Sequence, residues 1–238
     1  MSTYVYGIAH RSHPRPDTEL AGVGDPPRPV RTLAEGELIA LVSDAPEDLR
    51  PKRRDLLAHQ RVLTHAAAGG PVLPMRFGGV SPDDAAVKSV LADRAEHFEE
   101  RLTALHDKVE YNVKASHNED VILHQVLADN AELRALTEAN RAAGGGTYEQ
   151  KIQLGERIVA AVQQRETRDA EMVHDTLVGI AAAVSRGPVS TGWLVSVSCL
   201  VARADTARFL AAVDALIKDN PQLEIRLSDP LPPYSFVE

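Results

Sequence analysis

The sequence is poor in cysteine, in aromatic residues and in long apolar runs. Cys199 is the only cysteine among 238 residues, which excludes an internal disulfide framework and indicates a reducing compartment. Aromatic residues make up 4% of the chain, so leucine, valine, isoleucine and alanine must form most of the core. No apolar run approaches the ~18 residues of a membrane-spanning helix, and residues 1–7 show no secretory signal. We therefore predict a cytoplasmic protein without a membrane partner.

Basic residues are also too few for a general nucleic-acid-binding protein. The 26 Lys and Arg face 34 Asp and Glu, which gives a formal net charge of −8, so nonspecific attraction to phosphate backbones is not expected. The hydrophobic share of 44% and the charged share of 25% are typical of globular proteins. The length suffices for one large domain or two ordinary ones.

The hydrophobic pattern of the first half predicts an α+β domain over residues 1–106. Residues 37–43 are apolar on both strand faces, which is typical of a central strand. A helix is expected after Pro51, with an inner stripe formed by Leu56, Leu57, Leu63, Ala66 and Ala67. The other elements expected here are a strand at 3–9, an irregular stretch at 10–29, an extended segment at 72–80 and a single helix at 82–105.

The second half predicts a modified ferredoxin-like α+β domain over residues 107–229. Strands are expected at 109–115, 193–201 and 223–227, and helices at 118–141, 148–184 and 206–218. This order matches the ferredoxin-like pattern with one strand missing. The polar stretch at 163–171 within the helix expected at 148–184 either protrudes beyond the globule or marks a break between two helices. The sheet face away from the helices is expected to meet water or a partner and carries Lys108, Glu110, Lys114, Glu224 and Arg226. Residues 230–238 are expected to form a separate C-terminal tail.

A search for catalytic, cofactor and metal sites finds none in the sequence. Gly144–Gly146 is followed by no Gly-Lys-Ser/Thr, so a phosphate-binding loop is not expected. The histidine pairs at 10 and 13, 59 and 65, and 117 and 124 lack zinc-site spacing, and we interpret these histidines as surface residues. The strand position of Cys199 indicates a buried hydrophobic side chain instead of a nucleophile.

The sharpest charge feature is the basic run at residues 50–54, which contains Arg50, Arg53 and Arg54. Cations at a helix start are unfavourable for the helix dipole, so compensating ion pairs are expected. Three interpretations stay open here. The run is a solvated or ion-paired helix start, a binding site for an acidic partner, or a nucleic-acid site, although it lacks interleaved aromatic residues for base stacking.

Two proline-containing segments are candidate contact sites for a partner or another domain. Residues 71–78 place Arg76 and Phe77 beside two prolines, and residues 230–237 form a stiff tail that carries Tyr234 and Phe236. Because prolines lower the entropic cost of ordering such a tail, its aromatic residues can dock on a groove at little penalty. The tail either clips the C-terminus onto a neighbouring domain or serves as a recognition peptide for another chain.

The same segments resemble the gas vesicle protein F/L family, with an F-like member favoured. The resemblance rests on Tyr4–Ile8, Leu56–Gln60, Val72–Gly78, Lys151 with Gly155, the strand at 195–201 and the ending Pro232–Phe236. It is collinear over nearly the whole chain. Asp229 and Leu231 depart from the glycine and tryptophan that many members carry.

The resemblance implies a two-domain α+β accessory protein that is a minor, gas vesicle-associated component and not an enzyme. Members of the family are thought to act on the hydrophobic major gas vesicle shell protein during nucleation. One hypothesis is a chaperone-like holder that covers the apolar surface of shell subunits before assembly, through sheet edges or the helix-lined N-terminal domain. The alternative is a structural adaptor that bridges other gas vesicle accessory proteins without binding the shell protein. A third hypothesis, an enzyme with an unfamiliar site, would require a deep pocket with convergent polar groups.

Overall fold

The computed structural model describes residues 1–15, 20–188 and 192–238. The chain divides into two compact units, which are described separately: unit 1 comprises residues 1–110 and 230–238, and unit 2 comprises residues 111–229. Both contain helices and sheet, so the predicted α+β class is confirmed. The division into domains at residues 106 and 229 stays a prediction. Among residues 1–15, 20–188 and 192–238, none of the helices combines the length and the hydrophobicity of a membrane span.

Unit 1 is built on an antiparallel sheet with the strand order β2-β3-β1-β4, and the short β5 also pairs with β1. The predicted central strand is confirmed, because β3 is buried along residues 38–43. The edge strand β2 was not predicted. Its side chains are mostly half-buried, with no regular alternation between buried and exposed positions. The strands are β1 (Thr3–His10), β2 (Arg31–Glu35), β3 (Leu38–Asp44), β4 (Val72–Pro74) and β5 (Val80–Ser81).

Three helices complete unit 1: α1 (Arg53–Gly69), α2 (Asp84–Asp93) and α3 (Ala95–Ala104). The single helix predicted for residues 82–105 is wrong, because the chain leaves helical geometry at Arg94, with φ −120° and ψ 22°. Asp83 caps α2 by accepting a hydrogen bond from the Ala86 N–H at 2.8 Å. The irregular stretch predicted at 10–29 holds one isolated bridge, between Ala21 and Pro29, and its residues 16–19 lie outside the described part of the chain.

Unit 2 has a four-stranded sheet with the order β7-β8-β6-β9, which is the complete ferredoxin-like arrangement. The prediction that one strand is missing is wrong. The strand that the prediction lacked is β7, which lies in the segment predicted to form the end of the long helix. The strands are β6 (Lys108–His117), β7 (Ala183–Arg186), β8 (Val195–Ala202) and β9 (Leu223–Leu227).

The helices of unit 2 are α4 (Glu119–Asp129), α5 (Ala131–Ala142), α6 (Tyr148–Val178) and α7 (Thr206–Asp219). The helix predicted at 118–141 is divided at Asn130, whose side chain accepts hydrogen bonds from the Glu132 and Leu133 N–H groups and so starts α5. The helix predicted at 148–184 ends earlier, at Val178. It begins with a capping box formed by Thr147 and Gln150.

The alternation predicted for β6 is confirmed for its apolar face and wrong for one charged residue. Val109, Tyr111, Val113 and Ala115 are buried, as is Cys199 on β8. On the opposite face Lys114 and Glu224 are exposed, whereas Glu110, which was expected to meet water or a partner, is only 1% exposed. The partners of this carboxylate are in the C-terminal tail.

Candidate partner-binding surfaces

The basic run before and within α1 is largely neutralised by the chain's own carboxylates. Arg50 Nε lies 2.8 Å from Asp48 Oδ1, and Lys52 Nζ lies 3.5 Å from the second oxygen of the same carboxylate. The hydrogen bond from Arg50 lowers the pKa of Asp48. The Arg54 guanidinium pairs with both Asp25 and Asp55. The exposed Arg53 has no ion-pair partner among the residues that the structure describes.

Asp55 connects α1 to the loop before β2 through a hydrogen bond. Burial alone would raise its pKa, but a hydrogen bond from the Gly24 N–H at 2.9 Å and the Arg54 guanidinium lower it below its usual range. The carboxylate therefore occupies an inner position of α1 as a charged group. This placement explains why Arg54 is held in place while Arg53, one position earlier, is not.

The outer face of α1 combines exposed leucines with cations. The prediction that Leu56 and Leu57 form the inner stripe is wrong, because their exposed fractions are 41% and 48%. The inner positions belong to Asp55, Ala58, His59, Val62, Leu63 and Ala66. Arg53 and Arg61 lie four residues before and after Leu57, on the same side of the helix. We call Arg53, Leu56, Leu57 and Arg61 the α1 outer face.

A buried aromatic group fixes the inner side of α1. It consists of Tyr4, Tyr6, His59 and Phe77, with ring centroids of neighbouring members 4.8 to 6.0 Å apart. The prediction that His59 is a surface residue is wrong. Burial lowers the pKa of His59 and keeps it neutral. Phe77, a predicted contact residue, is the half-buried member of this group and packs against the core of unit 1.

The hydrogen bonds of His59 define its tautomer. Its Nε2 lies 3.0 Å from the Met75 carbonyl, which can only accept, so Nε2 carries the proton. The Nδ1 atom then accepts from the Tyr4 hydroxyl at 2.8 Å. The same hydroxyl accepts from the Gly78 N–H at 3.2 Å. One neutral network therefore joins β1, α1 and the segment after β4.

The C-terminal tail is part of unit 1. The buried Glu110 carboxylate accepts hydrogen bonds from the Ser235 N–H at 2.8 Å and from the Ser235 hydroxyl at 2.9 Å. The backbones of Glu110 and Leu231 exchange two further hydrogen bonds, at 2.9 and 2.8 Å. Tyr234 packs against the core that contains Tyr4 and Tyr6, and burial raises its pKa to about 12.

The other two predicted contact residues lie at the surface or partly so. The Arg76 side chain is exposed and pairs with the exposed Glu238 at 3.6 Å. Phe236 is half-buried within the last turn of the tail. The structure therefore brings Phe77 and Tyr234 together on one core, whereas Arg50, Arg53 and Arg54 lie at the start of α1.

Unit 2 contains a buried polar network that the sequence did not reveal. Asp169 on α6 accepts hydrogen bonds from His117 Nε2 at 3.0 Å, from Arg165 Nε at 3.0 Å and from Gln222 Nε2 at 3.3 Å. The His117 side chain is 7% exposed, so its interpretation as a surface residue is wrong. Its Nδ1 atom is buried and has no hydrogen-bond partner among the described residues. The sequence signal that could have revealed this network is an aspartate four and eight residues before the apolar Val173 and Leu177, on the same side of the helix.

The polar face of the unit 2 sheet carries a cation–aromatic stack. Lys114 Nζ lies 5.5 Å and Arg226 Cζ lies 5.1 Å from the ring centroid of Trp193. Since Trp193 is the only tryptophan, its fluorescence reports on unit 2 alone. No group of three or more His, Cys, Asp or Glu side chains in residues 1–15, 20–188 and 192–238 is arranged to hold a metal ion.

Comparison with known proteins gives consistent matches over the whole chain. The family model for gas vesicle synthesis protein GvpL/GvpF matches residues 2–238. The chain is 63% identical to gas vesicle protein F of Streptomyces sp. (strain CB03234) over 238 residues, which covers all of both chains. It is 24% identical to gas vesicle protein L1 of Halobacterium salinarum, with 98% of this chain and 89% of the relative covered.

Two solved structures share the fold. The crystal structure of GvpF from Microcystis aeruginosa matches with a TM-score of 0.74 and 24% identity, covering 100% of this chain and 99% of that one. The crystal structure of GvpF from Anabaena sp. PCC7120 matches with a TM-score of 0.77 and 23% identity, covering 100% and 98%. The resemblance predicted from the sequence is confirmed, and this chain belongs to the gas vesicle synthesis protein GvpL/GvpF family.

Proposed function

We propose that this protein binds the hydrophobic major gas vesicle shell protein and limits its aggregation during nucleation, as a minor, gas vesicle-associated component in the cytoplasm. A shell subunit must expose apolar surface in order to polymerise, so it is prone to aggregate before it is incorporated. A protein that covers this surface reversibly keeps subunits available for the growing wall. This function requires binding and no bond-making groups.

The observation that carries the proposal is the α1 outer face. Leu56 and Leu57 leave apolar surface in water on a helix whose inner side is already packed. Arg53 and Arg61 flank them without an ion-pair partner among the described residues, so they are available to a carboxylate of the bound subunit. Arg50 and Arg54 serve mainly to hold the start of α1 through Asp48, Asp25 and Asp55.

Co-expression of the shell protein with this chain tests the proposal. We expect more soluble shell protein in the presence of the chain than in its absence. The double variant Leu56→Ser/Leu57→Ser should lose most of this effect while its own melting temperature changes little, since both side chains are exposed. Val90→Ser on α2, which is also an exposed apolar residue of unit 1, is the matched control. Equal amounts of soluble shell protein with and without the chain would refute the holder function.

A structural adaptor that bridges other gas vesicle accessory proteins is the second candidate. It is favoured by exposed apolar side chains on helices of both units, Leu57 on α1 and Val159 on α6, because an adaptor needs at least two docking surfaces. Pull-downs with individually purified partners separate the candidates. Capture of accessory proteins without capture of the shell protein would favour the adaptor.

A further inference from the structure

The first half of α6 carries an apolar stripe that faces water. Tyr148, Ile152 and Val159 are 80%, 43% and 55% exposed. With Gly155 they follow one another at spacings of four, three and four residues, which is the seam pattern of a coiled coil. We call Tyr148, Ile152, Gly155 and Val159 the open stripe.

The open stripe is distinct from the side of α6 that unit 2 uses for its own packing. Leu154, Ile158, Ala161 and Val162 pack on the cluster formed by Ile122, Val126 and Leu133 of α4 and α5. Val162, three residues after Val159, already packs on that cluster. Further along the helix Val173 and Leu177, fourteen and eighteen residues after Val159 and so on the same side of the helix, are fully buried. The face that is covered in the second half of α6 is therefore uncovered in the first half.

Gly155 lies at the centre of the open stripe, and its local surroundings do not explain why glycine occupies this position. It is in the interior of a 31-residue helix, where glycine costs about 1 kcal/mol relative to alanine. A Cβ atom at this position would meet nothing within 4 Å, so no neighbour within the described structure demands glycine. A missing side chain at the centre of an apolar seam allows a second helix to approach closely.

The charged residues beside the open stripe indicate which kind of partner can bind there. Glu149 and Glu156 each follow a stripe residue by one position, so they line the same edge. Both are exposed and have no ion-pair partner among the described residues. The other edge carries the exposed Lys151 and adjoins Leu154 and Ile158, where α4 and α5 already pack. The edge that faces away from α4 and α5 is therefore acidic.

A second copy of this chain fits the stripe poorly. Two antiparallel copies of α6 bring Glu149 of one next to Glu156 of the other, where like charges repel. Two parallel copies can pair Lys151 of one with Glu156 of the other, but they leave both Glu149 side chains unpaired. They also place Gly155 against Gly155, so neither copy supplies a large apolar side chain for the notch.

We propose that the open stripe binds an amphipathic helix of another protein whose polar side is basic. Lysine or arginine of that helix pairs with Glu149 and Glu156, and a large apolar side chain fills the notch at Gly155. This surface lies in unit 2, and the proposal does not depend on binding of the shell protein by α1.

Two synthetic helical peptides with the same leucine stripe, one with lysine and one with glutamate on the polar side, test the proposal on the full-length chain. Fluorescence anisotropy should show binding of the lysine peptide that is roughly tenfold tighter or more than that of the glutamate peptide. The double variant Glu149→Lys/Glu156→Lys should reverse this preference. Val159→Glu should abolish binding of the lysine peptide, while Val90→Glu, a change of the same kind on α2, should not.

Gly155 provides a readout that a purely structural role would not give. Gly155→Ala should raise the melting temperature because alanine favours the helix, and Gly155→Leu should weaken peptide binding although the helix is kept. Absence of binding, equal binding of both peptides, or binding that survives Val159→Glu would overturn the proposal. Concentration-dependent dimers of the full chain that Val159→Glu dissociates would also overturn it, since a second copy would then be the occupant.

Discussion

The two units differ in the polar network on the inner side of their main helix. In unit 1 the network behind α1 is neutral, formed by the Tyr4 hydroxyl and the His59 imidazole with aromatic packing around them, although unit 1 also buries the Asp55 and Glu110 carboxylates elsewhere. Unit 2 buries the Asp169 carboxylate and satisfies it with His117, Arg165 and Gln222. A neutral network loses stability when a proton is added, whereas a carboxylate network loses stability when its charge is removed. The units should therefore respond differently to substitution.

The largest expected effect is in unit 2. Asp169→Asn removes the charge that Arg165 and His117 share while it keeps the side-chain size, and breaking a buried charged pair costs about 3 kcal/mol. Urea unfolding followed by Trp193 fluorescence measures the loss in unit 2. Asp175→Asn, on the exposed side of the same helix, is the control. A loss below about 0.5 kcal/mol, the scatter of surface substitutions, would contradict the assigned role of Asp169.

Deletion of residues 231–238 should lower the stability of unit 1 by about 2 kcal/mol, because it removes the packed Tyr234 ring and leaves the Glu110 carboxylate without its donors. Differential scanning calorimetry and tyrosine signals should show the change, and Trp193 fluorescence should not. Removal of Glu238 alone should have little effect, since its pair with Arg76 is exposed. An unchanged melting temperature together with lost partner binding would favour the recognition-peptide hypothesis.

The smallest expected effect is a pH dependence of unit 1. Because burial lowers the pKa of His59, the unfolded chain binds a proton more readily than the folded one. Stability should therefore fall as the pH decreases from 7 to 5.5, by at most about 1.4 kcal/mol per pH unit. The depressed pKa values of Asp48, Asp55 and Asp84 act only at lower pH, near the ordinary carboxyl range.

The variant His59→Gln is expected to be less stable at pH 7, because the ring loses its contacts with Tyr4 and Phe77, and to show a flatter profile between pH 7 and 5.5. Urea midpoints measured by far-UV circular dichroism across this interval check both points. A profile as steep as that of the parent protein would mean that another group carries the dependence.

Most elements could be predicted from the sequence because their hydrophobic residues repeat with a clear period. The prediction failed where the same residues fit both the helical and the strand period. Ile180 and Val184 continue the helical spacing of α6, but Gly179 ends the helix region and Val184 belongs to β7. Residues 183–186 are too few for alternation to outweigh the helical pattern. The ferredoxin-like order was therefore recognised with one strand missing.

The candidate surfaces were harder to predict because residue type alone does not decide burial. Leu56 and Leu57 were assigned to the inside of α1, yet Asp55 and His59 take those positions since each finds hydrogen-bond partners there. Compensating ion pairs were expected for the basic run at residues 50–54, and the structure shows which residues make them: Arg50 and Arg54 are paired. Arg53 has no ion-pair partner among the described residues. The seam spacing of the open stripe was visible in the sequence, and its exposure was not.

Because the tail packs in unit 1, it affects the order in which the two units can finish folding during translation. Tyr4 and Tyr234 share one core although the whole of unit 2 separates them in sequence. During translation the sheet of unit 1 emerges first, but its Glu110 carboxylate stays without a donor until Ser235 has been synthesised. Unit 2 can thus finish before unit 1, and a chain interrupted between residues 110 and 230 lacks both the ring that packs beside Tyr4 and Tyr6 and the donors of Glu110.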